Sequence, residues 1–568
     1  MHFTEKGRFT GAKLLPYALE KHRVTHADQN ERNFHIFYFL LSGASHEERS
    51  RLELSDWSSY QYLSRTASSR ASSIDDAQGE IELKAALKAM IPEKQRIGQI
   101  YQVLAAILHL GNIQFAEDPN NAQDAAIIKN TDTLHTVADL LGVDPNAIAN
   151  TLTYKSKLIK RDITTLFLNP EQASHQRDKL AESLYCLLYT WIIEQLNDKL
   201  APKNSHCFIS LLDMPGWSSQ TGYSGFDQFT FHYIQETMHN YMFSTLFDQS
   251  CYQEQGIGVQ FDKPISNSIM DIYVHPSKGL WSIMNAQASR PQQRYDDDQT
   301  IVHNFISANK TALNDQTLSL KKEDTGLQVF TIQHYWGPVT YSPYNFSERN
   351  QDYLLNDFIS LFKGNAYNPP SANGLVASLF DDSIIGQDDG TRSRVNSPYQ
   401  AIKPLRLPTI ATGESHHPAS LNQDHKPTDV KSALSVSLQP DAPTIGHILT
   451  TGVFDLTNAL SHTLSWYVIC MRPNELSLPN SCDMKKLSSQ VISFKLQSLI
   501  KRMKAGYHTI SFTFDEFWER YYISLPVTVN TMIDPALSAK EKCCFVSQAL
   551  GWDEAMMVIG ESKVSMIP

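Results

Sequence analysis

Apolar residues recur every three to four positions through several long stretches of this chain, and each stretch predicts a helix with one buried face. The strongest runs from Arg177 to Asn197, where Leu180, Leu184, Leu187, Leu188, Trp191, Ile192 and Leu196 share a stripe. Ile97, Ile100, Tyr101, Leu104, Ile107 and Leu108 mark a second helix up to Leu110, with Gly111 as its stop. A third is predicted from Glu31 to Leu41 around Phe34, Phe37 and Tyr38. A fourth follows Gly225, carries Phe226, Phe229, Tyr233, Ile234, Tyr241 and Met242, and ends near Phe247. Further helices are expected from Phe454 to Thr463 and on towards Ile500.

Shorter runs read as strands. Met1 to Leu15 holds two of them separated by Lys6-Gly7-Arg8, a hairpin signal. Cys207-Phe-Ile-Ser-Leu-Leu212 reads as a buried strand, Ser465-Trp-Tyr-Val-Ile-Cys-Met471 as a strand-like run, and Ile510 to Pro568 as a small α/β unit. Arg65 to Ser73 is Ser-rich and reads as a surface loop. From about Asn365 to Thr444 prolines, serines and asparagines replace all periodicity, which predicts a long flexible insert. The resulting partition is 1–364 as a main core, 365–444 as the insert, 445–508 as the remaining core strand and helices, and 509–568 as a terminal unit.

With 568 residues, 42% of them hydrophobic, the chain can bury a large core. Its formal net charge of -11 offers no electrostatic case for nucleic acid or an anionic membrane. The seven cysteines are odd in number and lack metal-site spacing, which fits reduced thiols in the cytosol. No apolar run approaches the ~18 residues of a membrane span, and the N-terminus lacks the apolar centre of a signal peptide.

Chemistry concentrates at Asp213-Met-Pro-Gly216, where an acid ends an apolar strand and a glycine follows. A carboxylate there can hold a water on Mg²⁺, and a bare glycine backbone lets its N–H approach a phosphate. A simple strand-terminating turn would leave the same D-x-x-G pattern. No G-x-x-x-x-G-K-[ST] loop occurs to cradle phosphates, nor H-E-x-x-H, G-x-S-x-G or C-x-x-C. His416, His417 and His425 lie in the insert as solvated side chains.

Several ordered motifs carry a resemblance. Ala18-Leu-Glu-Lys-His-Arg-Val24 with Glu31-Arg-Asn-Phe-His-Ile-Phe-Tyr38 resembles the myosin motor segment after switch I. Leu108-His-Leu-Gly-Asn-Ile-Gln-Phe115, Leu168-Asn-Pro-Glu-Gln-Ala173, His334-Tyr-Trp-Gly-Pro-Val-Thr-Tyr341 and Cys470-Met-Arg-Pro-Asn474 follow in the family's order. Asp213-Met-Pro-Gly216, Gly225-Phe-Asp-Gln-Phe229, Gly279-Leu-Trp-Ser-Ile-Met-Asn285 and Pro404-Leu-Arg-Leu-Pro408 resemble the motor-like domain fused to fungal chitin synthases. So do the closing Gly551-Trp552 and Val558-Ile-Gly560.

The resemblance implies an α/β, P-loop NTPase architecture of the myosin-motor type, mainly helical around a mixed, twisted central sheet, here lacking its P-loop portion. The inner strands of that sheet, by the same resemblance, include Phe208 to Leu212 and Trp466 to Met471. It implies that Asp213, Gly216, Trp217 and Ser218 form switch II, with Asp213 reaching Mg²⁺ through water. It further implies that the helix from Phe226 is the relay helix, that residues 509–568 are converter-like, and that the cofactors are ATP and Mg²⁺. Ser218 stands where the family carries a glutamate, so an acid that would pair with a switch I arginine is lost.

Actin filaments are the implied partner, met through Leu280 to Lys363 and the insert Asn365 to Thr444. That insert is not net basic, so capture of an acidic filament is expected to be weak. The chitin synthase catalytic and membrane domains are expected in cis beyond Pro568, since the sequence holds neither Q-x-x-R-W nor membrane helices. The expected location is the cytoplasmic side, at the cytoskeleton or at a plasma or vesicle membrane through the parent. An active actin-based ATPase completed by upstream sequence, and a stand-alone pseudo-motor scaffold, are the competing readings.

Overall fold

The hairpin expected at the N-terminus forms. His2–Phe3 pairs antiparallel with Phe9–Gly11 on one side and with Cys207–Phe208 on the other. The computed structural model describes residues 1–16, 19–27, 31–64, 74–119, 125–159, 162–202, 206–214, 222–248, 253–256, 268–288, 294–322, 328–350, 354–364, 369–380, 444–461, 463–474, 478–505, 510–525, 537–553 and 556–566.

The predicted stripe on 177–197 belongs to a longer helix, Pro170–Leu200. Its extra first turns are set by Asn169, whose side chain accepts from the Gln172 backbone while the Gln172 side chain answers to the Asn169 N–H, with Pro170 at the first helical position. Leu180, Leu184, Leu187, Leu188 and Trp191 enter a core shared with the helices His35–Gly43, Lys94–Gly111 and Thr131–Leu141. Gly142 ends the last of these at φ 65°, and the backbone of Asn373 passes where its Cβ would be, 2.4 Å away. Only glycine satisfies both demands.

That close approach corrects one boundary. Residues 371–380, read from sequence as part of the flexible insert, form the short helix Gly374–Leu379 and bury Leu375, Val376, Leu379 and Phe380 in this first core. The prolines and serines around them masked four apolar residues at helical spacing. Residues 381–443 of the insert, and the Ser-rich 65–73, lie outside the described residues.

A second core gathers around the helix Phe226–Leu246. Phe226, Phe229, Tyr233, Ile234 and Met238 pack on Tyr273, Trp281, Phe305, Phe330 and Phe346. The helix Ile445–Ser461 closes it with Ile445, Leu449, Val453 and Leu456, starting well before the predicted Phe454. One wall is an antiparallel sheet in which Gln328–Gln333 lies between Leu318–Lys322 and Pro338–Tyr341. The terminal unit is a separate small sheet, with Lys563–Met566 between Ile510–Thr513 and Met557–Ile559 and the helices Phe514–Tyr521 and Ala539–Leu550 beside it. Gln255 reaches its turn: Oε1 accepts from the backbone N–H groups of Ser562 at 2.9 Å and Lys563 at 3.0 Å, and Nε2 donates to the Ser562 hydroxyl at 3.0 Å.

The central sheet is the main departure. Among the described residues the strands form separate, antiparallel sheets of two or three strands, with one isolated parallel bridge between Ser224 and Tyr341, and no mixed central sheet is present. The two runs expected as inner strands are exposed. Beyond Ile209, whose backbone exchanges hydrogen bonds with Met1, the chain leaves the N-terminal strand, and Leu211 is 81% exposed. Residues 465–471 are extended without a strand partner: Tyr467 and Ile469 pack against Met242, Phe243, Phe247 and Leu499, while Leu464, Trp466 and Val468 are 94%, 92% and 88% exposed. Strand-like alternation is present, but nothing among the described residues covers the second face.

Candidate functional site

Asp213 ends the exposed run after Cys207–Phe208, on the path into the helix Phe226–Leu246. Sequence placed it at the end of a buried parallel strand. Instead its strand pairs antiparallel with His2–Phe3 at a sheet edge and the carboxylate is exposed. Among the described residues this run has one partner strand and no covering layer, so Leu211 and Leu212 face solvent and Asp213 with them. Met214 turns back onto the second core. Gly216, Trp217 and Ser218 lie outside the described residues.

Beside the first turn of that helix, charged groups from both cores meet. Asp227 faces Arg349 of the short helix Phe346–Asn350 at 3.5 Å, and the preceding residue, Glu348, reaches Lys179 of the Pro170–Leu200 helix at 2.8 Å. Deeper in, Glu182 accepts from the Thr25 hydroxyl at 2.7 Å and lies 2.9 Å from Nδ1 of His22. Burial opposes ionisation of Glu182, but His22 and the Thr25 hydroxyl outweigh it and hold the carboxyl at about 2. Burial likewise opposes a charged His22, yet Glu182 and Asp227 raise it above the ordinary histidine value.

The two sequence motifs 18–24 and 31–38 close on each other here. Arg23 donates through Nε to Glu20 at 2.8 Å and through Nη1 to the Arg32 carbonyl at 3.0 Å, and its Nη2 pairs with Glu31. Asn33 Nδ2 donates to the Val24 carbonyl at 2.9 Å. Burial pushes Glu20 up to about 7 despite Arg23.

Of the region Leu280 to Lys363, the helix Leu280–Ala288 and the three-stranded sheet form one side of the second core and leave Lys310, Lys321 and Lys322 exposed. Sequence reasoning missed the charged junction and also a buried polar row on the Phe226 helix. The signal for that row was present, since His232, Gln235, Glu236 and His239 fall on one helical face among the apolar positions. Among the described residues no group of His, Cys, Asp and Glu side chains could hold a metal ion, and no helix is long and apolar enough to cross a membrane.

A family model described as myosin head (motor domain) matches residues 1–566. The chain belongs to the myosin motor-domain family. It is 31% identical to chitin synthase 8 of Mycosarcoma maydis over 99% of this chain and 29% of that protein. It is also 31% identical to chitin synthase 5 of Cryptococcus neoformans var. grubii, over 92% of this chain and 28% of that protein. Myosin-1 of Arabidopsis thaliana is 27% identical over 92% of this chain and 40% of its own length. This motor-family chain therefore spans less than a third of the two chitin synthases it matches. Asp213 is exposed at the expected phosphate loop, and the residues that follow it, 215–221, lie outside the described ones.

Proposed function

We propose that this chain is part of a myosin-type motor domain of a fungal chitin synthase, where it associates with actin to tether or deliver the enzyme. Its nucleotide site is incomplete on this chain. The observation that carries this reading is the two-faced run 464–471. One face is packed on Met242, Phe243, Phe247 and Leu499 and the other exposes Trp466 almost completely, as expected of an inner strand awaiting sheet neighbours. The exposed Leu211 and Leu212 support it.

ATP with Mg²⁺ does not fit the described residues, because one exposed carboxylate can orient a metal-bound water but cannot hold a triphosphate. Leu280 to Lys363 is the candidate actin face; it exposes Lys310, Lys321 and Lys322 but is not net basic, with seven Lys and Arg against nine Asp and Glu, which favours a weak electrostatic contact.

Co-sedimentation of the purified chain with actin filaments tests the partner, and a fluorescent ATP analogue with Mg²⁺ tests the site. Weak pelleting that declines as salt rises is expected, with no saturable nucleotide binding. Tight, salt-insensitive pelleting would overturn the weak electrostatic contact, and saturable nucleotide binding would overturn the incomplete site.

A further inference from the structure

The helices Met484–Ser493 and Leu496–Ala505 lie beside the extended run 464–471, and their outer sides have no part in the proposed function. Met484–Ser493 reverses the ordinary amphipathic pattern. Its inner side is polar: buried Gln490 accepts from the Arg472 N–H at 2.7 Å and donates to the Arg472 carbonyl at 2.8 Å, and the Ser493 hydroxyl donates to the Trp336 carbonyl at 3.2 Å. Its outer side carries Met484 and Ile492, 72% and 65% exposed, with Ser488 between them and Lys485 and Ser489 alongside. On the next helix Leu499 is buried with Met242, Phe243 and Phe247, while Gln497, Ile500 and Lys501 face outwards. A helix that turns polar groups inwards and large apolar groups outwards is built for a second environment.

Charge narrows what that environment is. From Met484 to Phe514 the chain carries six cationic side chains, Lys485, Lys486, Lys495, Lys501, Arg502 and Lys504, and no Asp or Glu, although its whole formal charge is -11. Lys485 and Lys501 are exposed and, among the described residues, have no ion-pair partner, whereas Arg502 donates through Nε to the Leu246 carbonyl. Acids elsewhere on the surface act weakly here, because at physiological salt a charge is screened over about 8 Å. The negative total therefore disfavours an anionic membrane only on average, and this stretch reverses the balance locally.

Shape separates the anionic partners that such a surface suits. A protein partner needs a groove or a matched surface, whereas these outer sides are convex, with apolar side chains set singly among hydroxyls and lysines. A lipid interface is fluid: it receives single apolar side chains at the acyl boundary and leaves lysine ammonium groups among the headgroups. We propose that the outer sides of Met484–Ser493 and Leu496–Ala505 form a docking face for an anionic lipid bilayer. Met484, Ile492 and Ile500 enter the interface, and Lys485 and Lys501 meet the headgroups. The contact is peripheral and separate from the candidate actin face.

Co-sedimentation of the full chain with lipid vesicles, without actin, tests this face. Phosphatidylcholine vesicles with about 30% phosphatidylserine are expected to bind it at least about tenfold more tightly than pure phosphatidylcholine, and the difference should shrink as salt rises. Each cation near such a leaflet contributes about fivefold, so Lys485→Gln with Lys501→Gln should weaken binding about 25-fold, and Lys485→Arg with Lys501→Arg should preserve it. Met484→Ser with Ile492→Ser should weaken it at high salt as well as low. Lys321→Gln with Lys322→Gln, on the candidate actin face, should leave it unchanged. Equal binding to both vesicles, binding to neither, or a loss that follows the Lys321 pair and not the Lys485 pair would overturn the docking face. Saturable binding of polyglutamate without binding to vesicles would overturn it in favour of an acidic protein partner. Should the Met484 variant unfold, the lysine pair decides, since both positions are exposed.

Discussion

The Pro170–Leu200 helix and the extended run 464–471 each offer a face of large apolar side chains, one fully covered and the other open. Leu180 and Leu184 are inaccessible, enclosed by three other helices of the same chain. Trp466, with more apolar surface than either, is 92% exposed, although its neighbours Tyr467 and Ile469 are packed. The periodicity that betrays a buried face records that a partner is required, and says nothing of whether the same stretch of chain contains it. An open face of this kind costs solubility and leaves unpaired backbone along a strand edge.

Three substitutions sharpen that contrast. The largest effect is expected for Leu184→Ala, on the covered side, where a cavity in a closed core should cost about 3–5 kcal/mol in urea unfolding. Glu182→Gln, two residues from it, should cost about 3 kcal/mol at neutral pH by removing a carboxylate held at about 2 against an ordinary value near 4.5. Because that carboxyl is depressed in the folded state, its contribution is complete above about 4.5 and is lost as pH falls towards 2. Stability curves of parent and variant should converge across that window, and curves that stay parallel would refute the assignment. The smallest effect is expected for Trp466→Ser, within about 0.5 kcal/mol in this chain but about 3 kcal/mol in a longer protein that covers the run. A large loss in this chain alone would mean that the face is already covered.

The helices were the most legible elements. The stripes on the Lys94–Gly111, Pro170–Leu200 and Phe226–Leu246 helices lie within about a turn or two of their predicted bounds, because each packs against other helices of the same chain. The N-terminal hairpin was legible from its Lys6-Gly7-Arg8 turn. Burial of strands was not: Leu211 and Trp466 have the composition of inner strands, but sheet neighbours are a property of distant sequence. At the site, Asp213 was read as a strand-ending acid, but the strand ends at Phe208 and Asp213 follows in an exposed run; the junction of His22, Glu182, Asp227 and Arg349 was invisible because its members are separated by up to 327 residues (22 to 349) and unite only when two cores meet. Residues 371–380 were lost in a proline-rich background that surrounds a short apolar helix.

The Gln255 amide, with its bonds to Ser562 and Lys563, has a mechanical meaning. Apolar contacts yield by sliding, so they spread a load over distance and return it slowly. A short fork of directional hydrogen bonds is stiff under small displacement and gives way within a fraction of an ångström. Gly560 completes the fit, since a Cβ there would lie 2.7 Å from Cβ of Gln255. The terminal unit is thus held at this turn by a contact that is stiff and directional, unlike the apolar packing inside it.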